Sequence, residues 1–244
     1  MLALTGAIPA LVVMWIFDRM DRKRPEPRWS LRKVALAGAL STIPVIIVQL
    51  TLGFSQDGTY ASAAWNGFVV AGFTEEAAKF VCVLILVWDR PEFDERMDGI
   101  TYGVRAGLGF ALIENILYLH SALESGQFIV VWVGRALLAV PGHAIWAGFL
   151  GYFAARKRFD GRGPGMIGGF VLAVFLHGLY DFALFSAPSL SADVGDSAIV
   201  LILGIPILVI LGGAYWLRKL ARRAVADDDR AAMAVASSQP KPPT

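Results

Sequence analysis

Charge is scarce in this chain. Of its 244 residues 17% are Asp, Glu, Lys or Arg and 56% are hydrophobic, with a mean hydropathy of +0.58. That balance excludes an ordinary soluble domain. Cysteine is scarcer still: Cys82 stands alone inside an apolar run, so no intrachain disulfide can form and its role is packing. Lys and Arg are missing altogether from about 55–62, 121–127 and 188–197. There is no H-E-x-x-H, no G-x-S-x-G, no phosphate-binding loop and no nucleic-acid motif, so nucleic acid is not an expected partner. Alternating barrel strands are absent too, which leaves helices to satisfy the backbone in lipid.

What is there are apolar runs of near spanning length, at roughly 2–17, 34–54, 63–88, 99–120, 128–155, 165–187 and 198–217. About 20 residues cross a bilayer core. The fold class expected is therefore all-α, a polytopic integral membrane helix bundle of about seven transmembrane helices, in the cell membrane with the lipid bilayer as partner. Basic residues cluster in alternate connections: Arg19, Arg22, Lys23, Arg24, Arg28, Arg32 and Lys33 in the first, Arg90 and Arg96 in the third, Arg156, Lys157, Arg158 and Arg162 in the fifth. Arg218, Lys219, Arg222 and Arg223 follow the last run. The positive-inside rule then puts the N-terminus outside and the C-terminus in the cytoplasm. The first run carries its basic cluster after the apolar segment, which suits a reversed anchor better than a cleavable signal. Two parts are expected: a transmembrane unit over 1–223 and a disordered cytoplasmic tail over 224–244, too poor in apolar surface to pack.

Glu75 and Glu76 sit inside the third run, in Phe73-Thr-Glu-Glu-Ala-Ala-Lys79. A charge at bilayer depth costs at least about 2.5–3.5 kcal/mol, and intramembrane ionisable groups are functional by default. On a helix the two carboxylates point about 100° apart, whereas Lys79 lies one turn on from both. One Glu can pair with Lys79 while the other faces a cavity. Six more polar residues on three other runs join them. Glu114 and Tyr118 lie one turn apart on the fourth run with Asn115 beside them; His143 follows a helix interruption at Pro141-Gly142; His177 and Asp181 share a face of the sixth. Arg135 is placed to meet Glu124 or Glu114. At about 1.5 Å per residue, Glu75 lies about 15 Å below the outer boundary, and the others fall in the central to outer half. Gly99, Gly103 and Gly107, spaced by four, read as small residues that let two helices approach closely.

A carboxylate with imidazoles in a wet cavity can activate water for attack on a carbonyl. The same residue types can hold zinc with a position left open for water, in which case Glu75, His143 and His177 are the ligands. An ion- or proton-coupled transporter is the reading from another class, since buried Glu, His and Asp also mark ion paths, but the halves show no convincing repeat. A scaffold glued by polar groups is the third.

Four segments in order, Phe73-Thr-Glu-Glu-Ala-Ala-Lys79, Gly109-Phe-Ala-Leu-Ile-Glu-Asn-Ile-Leu-Tyr118, Gly142-His-Ala-Ile-Trp-Ala-Gly148 and His177-Gly-Leu-Tyr-Asp181, resemble the PrsW family of intramembrane proteases, within the wider group of CAAX prenyl proteases and bacteriocin-processing proteins. The resemblance spans about residues 70–182. It implies an endopeptidase, with a single-pass membrane protein such as an anti-sigma factor as substrate and partner. It implies Glu75 as the water-activating base, Glu76 as its paired acid, and His143 and His177 as the two essential histidines. Asp181 stands where the prenyl proteases carry an Asn near the oxyanion; an ionised Asp would repel an oxyanion, so it orients His177 or stays protonated. Lys79, Glu114, Asn115 and Tyr118 are supporting residues. No cofactor is expected in the leading reading, with Zn2+ the alternative.

Overall fold

The computed structural model of the chain describes residues 2–55 and 57–238. It is all-α, with no strand among the described residues. Helix α1 (Leu2–Met20) is followed by α2 (Arg28–Leu40) and α3 (Thr42–Leu52), which form one rod interrupted at Ser41. There the Ser41 and Thr42 hydroxyls bond back to the Gly38 and Ala39 carbonyls at 2.8 and 2.7 Å, and Pro44 removes a backbone donor. The third rod starts as α4 (Tyr60–Ala64), capped by Thr59, widens into a π-helical stretch at Trp65–Phe73, and returns to α-helix as α5 (Thr74–Leu86). Helix α6 (Arg96–Glu124) is uninterrupted. The fifth rod repeats the pattern of the third: α7 (Phe128–Gly134), a π-helical stretch at Arg135–Ala139, then α8 (Val140–Asp160), stopped by left-handed Gly161. Helices α9 (Gly165–Phe185), α10 (Ala187–Val194) and α11 (Ala198–Ser238) complete the order.

Five stretches, 28–52, 96–124, 128–160, 165–185 and 198–237, are long and apolar enough to cross a bilayer. Helix α1 and the rod Tyr60–Leu86 occupy the places of the first and third expected spans. Leu50, Ile85, Ile167 and Leu208 stand in the open on the outer faces, as a lipid solvent allows.

Helix α6 lies at the centre, against α8, α2 and α1. The glycine stripe explains how. A Cβ on Gly99, Gly103 or Gly107 would collide with the α8 backbone at Gly151, Ala147 and His143 in turn. Gly38 and Gly109 bring α2 and α6 together in the same way, through Ala106 and Ala35. Lipid supplies no hydrophobic drive for helix association, so backbone proximity and dispersion must hold the bundle. Around the seam, Leu108, Val140, Ala144, Trp146 and Leu150 are buried.

The basic connections gather at one end of the bundle. Arg24 pairs with Glu95 and Asp229, and Arg96 with Asp160 and Asp228. At the opposite end, Tyr60 bonds Asp193 at 2.6 Å and Ser189 bonds the Gly58 carbonyl. These ion pairs also correct the expectation for the tail. It is helical through Ser238, because α11 continues past Ala224 and Asp228 and Asp229 dock on Arg96, Arg24 and Lys23. Residues 239–244 of the expected tail lie outside the described residues.

Candidate active site

The two π-helical stretches each end just before a polar segment that the sequence singled out. A π turn takes an extra residue and rotates the helix beyond it, and such bulges recur at functional sites. Trp65–Phe73 leads into Thr74-Glu75-Glu76, and Gly67 and Gly72 within it let this rod press on the α9 backbone around Gly178 and Phe182. Arg135–Ala139 leads into Val140-Pro141-Gly142-His143. Pro141 has no N–H to give one turn back, and the wide turn before it absorbs that loss without a break in the rod.

These rods bring the polar residues to one place. Glu76 takes the pairing with Lys79, at 2.7 Å, and its Oε1 also lies 2.9 Å from His177 Nδ1. Glu76 and Lys79 are fully or almost fully buried, with Lys79 Nζ 4.6 Å from the centre of the Phe110 ring. Glu75 turns the other way. Its oxygens keep only longer contacts, to Lys79 at 3.5 Å, Gln49 at 3.4 Å and His177 Nε2 at 3.8 Å. It faces a cavity of about 440 Å³ between α3, α6, α9 and the two π-helical rods, together with Glu114, Arg135, His143, His177 and Asp181. Glu76 and Lys79 lie behind its wall.

His143 is held at both nitrogens. Lys79 Nζ lies 2.8 Å from Nδ1, and an ammonium can only donate, so Nδ1 accepts and Nε2 carries the proton. That Nε2–H donates to Glu114 Oε2 at 2.7 Å, which also accepts from Arg135 at 2.7 Å. Arg135 thus meets Glu114 rather than Glu124, bonds Asn115 with its Nε, and lies 4.1 Å over the Tyr118 ring. Asn115 ties α6 to α1 through the Gly6 carbonyl at 3.1 Å. His177 donates from Nδ1 to Glu76 and turns Nε2 toward Asp181, at 3.3 Å, and Glu75. Trp146 stacks on the His177 ring at 4.0 Å and 15°, and the two imidazoles stand edge to face at 5.4 Å.

All nine residues expected at the site therefore converge, in two layers. Glu75, His143, His177, Glu114, Tyr118 and Asp181 line the cavity, while Glu76, Lys79 and Asn115 hold them from behind. Glu76 is accordingly placed to orient His177, away from the cavity where a paired acid would act. At the cavity, one ligand-capable atom each of Glu75, Glu114 and His143 lies within 4.8 Å of the others, whereas the zinc set expected from the sequence was Glu75, His143 and His177. Three contributors went unnoticed: Gln49, whose only signal is a lone amide in the apolar run of α3, Trp146 under His177, and Phe110 under Lys79.

The chain is similar to known proteins over most of its length. A family model described as PrsW family intramembrane metalloprotease matches residues 26–211. Proteins named Protease PrsW from Geobacillus kaustophilus, Clostridioides difficile and Bacillus subtilis are 35%, 34% and 31% identical over 181, 189 and 182 residues. These matches cover 73%, 75% and 73% of this chain, and 77%, 79% and 80% of those relatives. No solved structure matches it significantly.

Proposed function

The chain belongs to the PrsW family of intramembrane proteases and is a membrane-embedded peptidase, and on that premise we propose that it hydrolyses a peptide bond of a single-pass membrane protein such as an anti-sigma factor, using water activated by Glu75. The observation that carries this reading is the division of labour between adjacent carboxylates. Glu76 is committed to Lys79 at 2.7 Å, while Glu75 faces the cavity with no contact closer than 3.4 Å. An oxygen not tied into a short ion pair is free to take a proton from water.

In this mechanism Glu75 removes that proton as the water oxygen bonds to the scissile carbonyl carbon. The carbonyl oxygen becomes an oxyanion, met by the donors that now serve Glu114, the Nε2–H of His143 and the Arg135 guanidinium. When the C–N bond breaks, the leaving amine takes up a proton. His177 Nε2, between Glu75 and Asp181, is the route for it, and Glu76 at Nδ1 keeps the ring aimed. Asp181 acts by holding His177.

A metal-dependent variant has its own support, because Glu75, Glu114 and His143 form a nitrogen-and-oxygen donor set of the kind zinc takes. These three residues would hold the ion, which when bound lowers the pKa of a water and polarises a carbonyl. For His143 Nε2 to ligate, its proton must leave, which reverses the tautomer that Lys79 imposes. The membrane is the cell membrane, crossed seven times with the arginine-rich end in the cytoplasm, so that cutting occurs in the outer half.

The test is cleavage of candidate single-pass anti-sigma factors in membranes carrying wild type, Glu75→Gln or His143→Ala, with and without chelator. Glu75→Gln should lose about 10²–10⁴-fold in rate. Cutting that resists chelation supports the metal-free mechanism, and cutting abolished by chelator supports the variant. Normally inserted Glu75→Gln protein that cuts at the wild-type rate overturns both.

A further inference from the structure

At the arginine-rich end, outside the site described above, three more carboxylates meet. Asp21 and Glu26 lie in the connection between α1 and α2, and Asp98 in the first turn of α6. They are 6%, 8% and 0% exposed, and one oxygen of each lies within 4.8 Å of the others. Among the described residues no Lys, Arg or His forms an ion pair with any of them; the adjacent guanidinium, Arg24, is engaged by Glu95 and Asp229. Neutral donors cover part of the cluster. Thr101 donates to Asp21 at 3.1 Å, Tyr102 to Glu26, and the backbone N–H groups of Asp94 and Glu95 to Asp98 Oδ2 at 2.8 and 2.7 Å. Asp98 Oδ1 is buried and has no hydrogen-bond partner among the described residues.

Three buried carboxylates repel one another unless protons or a cation intervene. The donors are all oxygen, with no imidazole or thiolate in the cluster, and that chemistry selects hard cations over zinc or copper. We propose that Asp21, Glu26 and Asp98 form a binding site for a hard divalent cation, of the Mg2+, Mn2+ or Ca2+ class, which pins the α1–α2 connection to the N-terminus of α6. Asp98 lies sixteen residues before Glu114 on one unbroken helix, about 24 Å away, so this site is separate from the cavity. Its effect is architectural: it fixes the start of the helix that carries Glu114 and Asn115.

The experiment uses the full chain, purified in detergent and stripped with chelator, with Mn2+ as an electron paramagnetic resonance probe and Ca2+ and Mg2+ as competitors. One Mn2+ per chain should bind and be displaced by the competitors. Its affinity should fall at least about tenfold in Asp98→Asn and in Glu26→Gln, yet persist in Glu75→Gln. Gln at position 26 can still accept the Tyr102 hydrogen bond, so it serves if the Asn variant misfolds. Thermal melting of wild type gives a readout without any substitution: Ca2+ should raise Tm above a Na+ control of equal ionic strength. Absence of that rise, or Mn2+ binding that survives Asp98→Asn and Glu26→Gln but is lost in Glu75→Gln, overturns the proposal.

Discussion

Replacing Gly107 by Ala tests whether the close seam between α6 and α8 serves the chemistry or only the fold. The added methyl would lie 3.1 Å from the carbonyl carbon of His143 and closer still to its oxygen, whereas ordinary contact begins at 3.4 Å. Both atoms are backbone, and Leu108 and Ala144 beside them are buried, so no flexible side chain can yield. The His143 carbonyl must retreat by roughly 1 Å, an overpacking that costs about 1–3 kcal/mol. A shift of that size in a catalytic group costs about 10²-fold in rate. Gly99→Ala is the control. Its methyl would meet the α8 backbone at Gly151 just as tightly, but two turns away from His143. Both variants should melt lower than wild type by similar amounts, measured in detergent, while only Gly107→Ala should lose cleavage of the substrate per folded molecule. Equal loss in the two variants, or none in Gly107→Ala, would refute the reasoning.

Three further substitutions probe the layer behind the cavity, the cavity wall and the basic end. Lys79→Met leaves Glu76 buried without its cation and should destabilise the protein by about 3–5 kcal/mol, read by thermal melting; Met fills the volume, so a small effect would show the pair to be dispensable. Arg135→Lys keeps the charge but cannot reach Glu114 and Asn115 together, and should raise the cleavage barrier by about 1.5–3 kcal/mol, seen as a loss of kcat/KM. Arg96→Gln removes the link from α6 to Asp160 and Asp228; Asp160 is partly exposed but Asp228 is buried, so the cost is about 1–3 kcal/mol, and limited proteolysis should cut α11 beyond Ala224 faster than in wild type.

How far the sequence carries depends on what each feature needs. A helix that crosses lipid must be apolar where it crosses, so the apolar parts of the rods at 28–52, 96–124, 128–160 and 165–185, and residues 198–217 of the last, were legible from composition alone. The Gly99, Gly103 and Gly107 stripe was legible as a contact face, though its partner, the run of Gly151, Ala147 and His143 on α8, requires knowing which helices touch. The π-helical stretches were not legible. Pro141-Gly142 marked an interruption, but Trp65–Phe73 holds no proline and reads as ordinary apolar helix. The tail misled for a different reason. Asp227-Asp-Asp-Arg230 looks like solvated charge, and only the tertiary placement of Arg96, Arg24 and Lys23 turns two of its carboxylates into docking points.

Within the site the same distinction separates local from distant relations. That Glu75 and Glu76 must part company comes from helix geometry: about 100° separates them, and one lysine a turn away can hold only one closely. Helix geometry does not decide which of them Lys79 would choose, because both spacings permit a pair. The choice is made from outside the helix. His143 Nδ1, from α8, draws the ammonium to 2.8 Å, and His177 Nδ1, from α9, lies on the same Glu76 oxygen at 2.9 Å. Two imidazoles from two other rods thus lock Glu76 and Lys79 behind the wall and leave Glu75 to the cavity. The histidines matter twice over: their outward nitrogens face the carboxylates that line the cavity, and their inward nitrogens decide which carboxylate is free to act. A substitution at either histidine should therefore impair more than its own step. It should also slacken the hold on Glu76 and Lys79, so that the Glu75→Gln defect and a histidine defect combine less than additively in the double variant.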